Sequence, residues 1–486
     1  MKKFLTQKQF KITLMKSKYN LLILLVVAIV SCKTIQLPTE RALLPMPSTF
    51  ANQTDSTNTA KTNWKAFFKD EKLVALIDTA LQNNLDVLAA YQNIQIAKAN
   101  LQYNKGLLKP TVNANVGAGI TKYGNYTQEW AGNKTTEIVN GKIIPQHLPD
   151  YLIGFSSSWE VDVWGKLKNK KQAAQARYLA SIEGRNWLIT NLVAEVANNY
   201  YELMALDKQI EILNNNIALQ EQSLSLTKIL KEGNKSNELA VKQFEAQIIN
   251  AKAAAKELSQ TIVEIESNIT VLLGRYPQPI QRNKIDIDNW VIQKINEGIP
   301  SQLLQNRLDI RVAEQELFAT RFDVKAAKTA FYPSLNIGAR FGLQGYSPTL
   351  LFSAPSIAYN VLSGLTAPLL NKTAIKAEFN TASAVQLTAL YNYQETVLTA
   401  FTEVYTQVKS ISNLNEIIDL KKNEVATLDS AINYSNLLFQ NNRITYLEVL
   451  VAQANSLQAK LDLLQNCKQQ QQVNISLYKS IGGGWQ

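Results

Sequence analysis

Four short stretches of the chain alternate apolar and polar residues with a period of two. Val112, Ala114, Val116, Ala118 and Ile120 are interleaved with Asn113, Asn115, Gly117 and Gly119. Tyr151, Ile153, Phe155, Trp159, Val161 and Val163 are interleaved with Gly154, Ser156, Ser158, Glu160 and Asp162. Leu335, Ile337, Ala339, Phe341 and Leu343 alternate with Asn336, Gly338, Arg340 and Gly342, and Ile357, Tyr359, Val361 and Leu365 with Asn360, Gly364 and Thr366. This spacing predicts strands over about 110–122, 151–163, 333–344 and 356–367. Each is about ten to thirteen residues, the length of a tilted strand crossing a bilayer. One face is apolar and the other polar or glycine, which suits lipid on one side and water on the other. A half-buried soluble sheet shows the same alternation; the length of the runs and their abundant polar face favour the membrane.

Longer stretches repeat every 3.5 residues. Ile444, Leu447, Val451, Ala454, Leu457, Leu461 and Leu464 form one apolar seam, and Leu206, Ile210, Leu213, Ile217 and Leu224 another. Such seams pack helix on helix with left-handed supercoiling. Glycine and proline are sparse around them. Between Lys166 and Glu232 the only one is Gly184, and between Asn371 and Asn441 there is none. A helix of about seventy residues is about 100 Å long at about 1.5 Å per residue. That is too long for a compact globule, so the protein is expected to be elongated and mainly α, with a small β part.

The chain also repeats itself. Leu108-Lys109-Pro110-Thr111-Val112 is echoed by Phe331-Tyr332-Pro333-Ser334-Leu335, and Trp164-Gly165-Lys166 by Leu370-Asn371-Lys372. Gly233-Asn234-Lys235-Ser236 is echoed by Asn442-Arg443-Ile444-Thr445, and Leu272-Leu273-Gly274 by Ser480-Ile481-Gly482. The offsets are 223, 206, 209 and 208, the first being longer because the first copy carries an insertion between Pro110 and Gly165. One unit is therefore duplicated: helix, strand, loop, strand, long helix, turn, long helix. The first copy is assigned to 64–274 with its turn at 233–236, the second to 304–486 with its turn at 442–445, and 275–303 to a linker. Four strands cannot close a barrel, and an open edge in lipid strands its backbone groups at several kcal/mol each. Transmembrane strands would therefore oblige several chains to share one barrel.

The N-terminus bears on compartment. Lys2, Lys3, Lys8, Lys11, Lys16 and Lys18 precede an apolar run from Leu21 to Val30, which ends at Ser31-Cys32. A basic opening, a short apolar core and a small residue make a secretory signal over 1–31, and Met15-Lys16-Ser17-Lys18 would suffice as its start. Ile29-Val30-Ser31-Cys32 resembles a bacterial lipobox, which implies that Cys32 becomes the lipidated first residue of the mature chain, followed by an extended anchored segment over 32–63. An ordinary signal with a chance cysteine is the alternative. Removing six signal lysines lowers the formal net charge from +11 to +5. That mild excess is not a nucleic-acid footprint. The other cysteine, Cys467, is expected to pack as a small apolar residue on a helix. There is no Walker loop, no metal-spaced His or Cys set and no triad pattern. One histidine, His147, in a polar loop leaves most acid–base constellations out of reach, so neither an enzyme nor a bound cofactor is expected.

Specific motifs then add a resemblance. Trp64-Lys65-Ala66-Phe67-Phe68-Lys69-Asp70 with Leu73-Val74-Ala75-Leu76-Ile77 resembles the opening of the TolC-type outer-membrane factors, in their OprM/NodT lipoprotein branch. Leu81-Gln82-Asn83-Asn84-Leu85-Asp86, Asn306-Arg307-Leu308-Asp309-Ile310-Arg311, Phe331-Tyr332-Pro333-Ser334-Leu335 and the ending Leu477-Tyr478-Lys479-Ser480-Ile481-Gly482-Gly483-Gly484-Trp485 are similar to that branch too. The family usually has Pro where Leu308 stands. The resemblance spans about residues 60–486. It implies a homotrimer with a 12-stranded transmembrane β-barrel in outer-membrane lipid and a periplasmic α-helical barrel. It also implies a passive channel that works with a periplasmic adaptor protein and an inner-membrane transporter. Metal-ion, drug and dye export all fit, since selectivity would reside largely in the transporter. The turns Gly233, Asn234, Lys235, Ser236 and Asn442, Arg443, Ile444, Thr445 would be the adaptor-contacting tips. The channel gate would fall on Leu447, Glu448 and Val451, with Val451 where the family often has Asp. Three Glu448 carboxylates near one axis would raise one another's pKa and attract cations. Leu447 and Val451 could instead be plain seam residues. Two rival classes are a periplasmic adaptor, which has one helical hairpin where this chain has two, and a structural coiled coil, which leaves the strands without a role.

Overall fold

The computed structural model describes residues 45–50, 57–139, 141–286, 295–368, 370, 372–441 and 443–485. The signal sequence, Cys32 and Asn442 lie outside the described residues. The first copy of the unit comprises α1 (Glu71–Asn83), α2 (Leu85–Gly106), β1 (Thr111–Thr121), β2 (Leu148–Val161), α3 (Lys166–Glu232) and α4 (Glu238–Leu272). The second comprises α5 (Leu308–Thr329), β3 (Ser334–Gly345), β4 (Ile357–Thr366), α6 (Thr373–Gln440) and α7 (Tyr446–Ser480). The duplication holds almost residue for residue. The opening helices α2 and α5 each have 22 residues, the long helices α3 and α6 have 67 and 68, and the return helices α4 and α7 have 35 each. Among the described residues no helix is long and apolar enough to cross a membrane.

Local chemistry sets the helix boundaries. Asn84 ends α1 and caps α2, its side-chain oxygen accepting from the amides of Asp86 and Val87 at 3.0 and 3.1 Å. The amides that open α3 are taken by Asp162, whose carboxylate accepts from Leu167 and Lys168 at 2.8 Å each. This explains the spacing of Asp162 from the Trp164-Gly165-Lys166 motif: the acid sits at the positive end of a 67-residue helix.

The four strands form one antiparallel sheet in the order β1-β2-β3-β4. Its register lines up the alternation found in the sequence. Val116, Ile153, Leu343 and Ile357 form one row across the sheet, and Ala114, Phe155, Phe341 and Tyr359 the next. The other face carries rows such as Asn113, Ser156, Arg340 and Asn360. The apolar face bears no charged residue and is largely uncovered, with Val116 81% and Tyr359 79% exposed. On the polar face Gly154 and Gly342 oppose each other, and a Cβ added to either would lie 2.5–2.7 Å from the other strand's backbone. Only glycine permits that approach. Among the described residues no strand lies beside the outer edges of β1 and β4.

The main apolar core lies at the level where the return helices end. Leu73, Ile77, Tyr200, Leu203, Ile269, Leu273 and Ile475 meet there with Trp64, Phe67 and Phe68 from the N-terminal segment. Phe67 stacks on Tyr478 at 4.0 Å between ring centroids. The Tyr478 hydroxyl donates to Thr62 O at 2.5 Å, and burial pushes it up to about 12. In the linker between the repeats, Ile280, Ile285 and Ile295 enter this core. Arg282 fastens it by reaching both Asp207 on α3 and Glu266 on α4. Cys467 is buried beside Ile418 and Leu463.

Candidate functional site: the paired helix turns

Each hairpin ends in a turn whose geometry follows from its residues. After α3 the chain turns at Gly233 and Asn234, and the left-handed residue is Asn234, at φ 57°. The amide of Lys235 closes the turn by donating to Leu230 O at 2.8 Å. Asn237 then caps α4, its side chain accepting from Ala240 at 2.9 Å. After α6 the amide of Arg443 donates to Leu438 O at 2.9 Å, and Thr445 stands at the N-cap of α7. The two turns lie side by side. Phe244 from α4, Phe439 from α6 and Val449 from α7 form one buried cluster, with Leu224, Leu230, Ile444 and Tyr446 packed against it. Gly233, Asn234, Lys235, Arg443 and Thr445 are exposed, whereas Ser236 and Ile444 are half-buried.

Leu447, Glu448 and Val451 occupy the first two turns of α7, beside the second helix turn. Leu447 is 55% and Val451 50% exposed. The apolar seam expected from the sequence is therefore corrected here: Leu447, Val451 and Ala454 are exposed, Leu457 and Leu461 half-buried, and only Leu464 is fully covered. Between Tyr446 and Leu463 the residues that α7 buries are instead Val449, Gln453, Ser456, Ala459 and Leu463, a stripe of similar spacing two residues out of frame. The stripe is partly polar, which hid it from a hydrophobic pattern. Gln453 donates to Ser223 of α3 at 2.9 Å, and Ser456 to Asp429 of α6 at 2.9 Å. Asn216, Gln220 and Thr227 extend the polar strip along α3. The side-chain oxygens of Asn216, Gln220 and Gln453 have no hydrogen-bond partner among the described residues. These buried amides are the site residues that sequence reasoning missed. Their only signal was polarity at helical spacing, which also describes a solvated face.

Glu448 is exposed, and the Thr445 hydroxyl donates to its carboxylate. That bond, helped by the backbone amides of Glu448 and Thr445, holds the carboxyl below the usual carboxylate range. Within one protomer the direction is thus opposite to the mutual repulsion expected of a ring of three. The first hairpin is fastened differently. Lys228–Glu245 at 3.3 Å and Lys231–Glu238 at 2.5 Å join α3 to α4 across its turn, and Lys242 on α4 ties Glu245 at 2.9 Å to Glu238 at 3.8 Å, so the five form one ladder.

A family model described as outer membrane efflux protein matches residues 76–275 and 299–483, one stretch for each repeat. The chain belongs to this family. It is 28% identical over 453 residues to the cation efflux system protein CusC of Escherichia coli O6:H1, covering 92% of this chain and 95% of the relative. It is 28% identical over 423 residues to the pyoverdine export outer membrane protein OpmQ of Pseudomonas aeruginosa, covering 87% of each. Among solved structures, a crystal structure of CusC superimposes with a TM-score of 0.80 at 25% identity, covering 93% of this chain and all of that one. The open state of the Neisseria gonorrhoeae MtrE outer membrane channel does so with a TM-score of 0.79 at 22% identity, covering 93% of this chain and 98% of that one. The latter likeness speaks to the fold alone. As an outer membrane efflux protein, the chain is the outer-membrane channel of an efflux system.

Proposed function

We propose that three copies of this chain form one passive conduit, anchored through a lipidated Cys32, that receives substrate from an inner-membrane transporter and a periplasmic adaptor. The observation that carries the proposal is the four-stranded sheet with one charge-free apolar face and two unpaired edges. In lipid each unpaired backbone group costs several kcal/mol. Joining β1 of one copy to β4 of the next removes both edges and yields a 12-stranded barrel. The paired turns at the far ends of the hairpins then form the surface offered to the adaptor. They expose Gly233, Asn234, Lys235, Arg443 and Thr445; Asn442 is assigned to the tip from the sequence alone. The lipoprotein named among the relatives, SilC of Salmonella typhimurium, 25% identical over 459 residues, supports the anchor at Cys32.

In the same assembly Leu447, Glu448 and Val451 form the constriction. Their exposure in the protomer supports this, since packing within the chain does not use Leu447 or Val451. Three Glu448 carboxylates facing one axis would favour cations at the entrance. The protein purified from outer membranes is expected to run as a heat-modifiable trimer and to form channels in planar bilayers, with Glu448→Ala/Val451→Ala raising single-channel conductance. A monomer without affinity for bilayers would refute the conduit, and an unchanged conductance in the double variant would refute the gate.

A further inference from the structure

The four-stranded sheet carries three charged residues, all on the polar face: Asp150, Glu160 and Arg340. Two are occupied. Asp150 accepts from Gln344 at 2.9 and 3.0 Å near one end of the sheet, and Glu160 is paired with Lys166 at 3.0 Å near the other. Arg340 stands in the middle of β3, exposed, and makes no ion pair among the described residues. Its row holds only short neutral side chains, Asn113, Ser156 and Asn360. On its own strand the positions two residues away on the same face are Gly338 and Gly342, and Gly154 opposes Gly342. Nothing on the sheet covers the guanidinium. The rows of Glu160 and Asp150 lie four and six residues along the strand, about 13 and 20 Å away at about 3.3 Å per residue. Both distances exceed the Debye length of about 8 Å at physiological salt, so neither acid neutralises it. An arginine at this depth on a lipid-facing surface would cost about 2–4 kcal/mol. The polar face must therefore look into water.

We infer that Arg340 is the ion-selecting residue of the barrel, three copies of it forming a cationic ring at mid-depth that favours anionic solutes. This rests on the trimeric barrel proposed above. Rings of Arg or Lys side chains select anions in pores. The duplication limits the ring to three, because the position equivalent to Arg340 in the first repeat is Gly117, to which an added Cβ would meet nothing within 4 Å. Solutes carrying carboxylate or phosphate groups would therefore pass this level more readily than free metal cations, in a channel whose proposed entrance carries the opposite charge at Glu448.

The test is the reversal potential of the full-length trimer in planar bilayers under a KCl gradient, in the native and the Glu448→Ala backgrounds. Arg340→Gln is expected to raise the potassium-to-chloride permeability ratio about twofold at about 0.1 M salt, and the difference should disappear near 1 M, where the Debye length is about 3 Å. Arg340→Lys should retain the native ratio, and Gly117→Arg should move it further toward chloride. Equal low-salt reversal potentials for the native protein and Arg340→Gln would overturn the assignment while leaving the channel intact. Absence of any conductance from the native trimer would instead sink the channel reading, and this inference with it.

Discussion

At the head of the first repeat, Asn84 caps α2 and donates its side-chain amide to Leu272 O at the end of α4, at 3.0 Å. At the head of the second, Arg307 takes the same place and donates to Ser480 O at the end of α7, at 3.2 Å. Arg307 also reaches Asp309 and Glu403, lies over the ring of Trp187 and is only 1% exposed. Behind each donor a glycine with positive φ packs against the residue before it, Gly274 against Asn83 and Gly482 against Asn306. A Cβ on either glycine would fall within 2.5 Å of that carbonyl oxygen. The same joint is thus built twice, once from a neutral amide and once from a buried charge. The turns at the opposite ends differ in the reverse sense: the first is laced by ion pairs, whereas at the second Glu448 is held by a hydroxyl. The contrast teaches that duplication preserved the backbone while assigning firmness to different ends of the two hairpins. The second hairpin is locked at its root and lightly held at its tip, where the gate is proposed.

That contrast can be broken. The largest effect is expected at the roots. Arg307→Ala leaves Asp309 and Glu403 without their cation and should destabilise by about 3 kcal/mol, whereas Asn84→Ala removes a cap and one bond and should cost about 1 kcal/mol. Heat-induced unfolding of the two variants side by side checks the order; equal losses would show that the two joints are equivalent. Next comes the register. The hairpin pairings superimpose β1 on β3 with an offset of 223 and β2 on β4 with an offset of 208. In the proposed trimer, the β2–β3 pairing carried over to neighbouring copies would place Ile120 of one chain opposite Val361 of the next. Ile120→Cys/Val361→Cys is expected to give oxidation-dependent cross-linked trimers on gels, and Ile120→Cys/Asn360→Cys, whose side chains lie on opposite faces, should not.

A smaller effect should separate the tips by pH. Because the folded carboxyl of Glu448 sits below its ordinary value, the support that Thr445 and Glu448 give to the start of α7 is present above about pH 4.5. It is lost as pH falls through the lower folded value. Hydrogen exchange at the first turn of α7 should therefore accelerate below about pH 4 in the native protein, and Thr445→Ala should abolish the transition. The root responds at the other extreme. Tyr478 has its pKa raised by burial, so its contribution holds below about pH 10 and is lost as pH rises toward about 12. Tyr478→Phe should shrink that alkaline step in thermal melts, with a remainder coming from Tyr201, which burial also pushes up to about 12, while leaving the acid response of α7 unchanged.

The alternation of the strands, their boundaries to within three residues and the duplication were all legible in the sequence, because period two and a repeated punctuation of Pro and Gly are strong local signals. The buried face of α7 was not. Leu447 and Val451 advertised a seam that the protomer does not use, while Gln453 and Ser456, which it does bury, looked like solvated residues. The core residues of the linker were not legible for a related reason: Ile280, Ile285 and Ile295 have no period, so only the fold reveals that they join the core. The turn positions were legible, but the split between an ion-laced and a hydroxyl-held turn was not. Pairs such as Lys231 with Glu238 become partners only once the hairpin closes.

The bare edges of β1 and β4 also bear on inheritance. In the proposed trimer a subunit whose β4 edge is damaged still offers an intact β1, so it can join two healthy neighbours and leave the ring unsealed. When half the subunits are defective, random mixing leaves roughly one three-chain ring in eight whole. Edge mutations in this protein should therefore act dominantly, whereas a variant that unfolds outright never enters the ring and should be silent beside a functional copy.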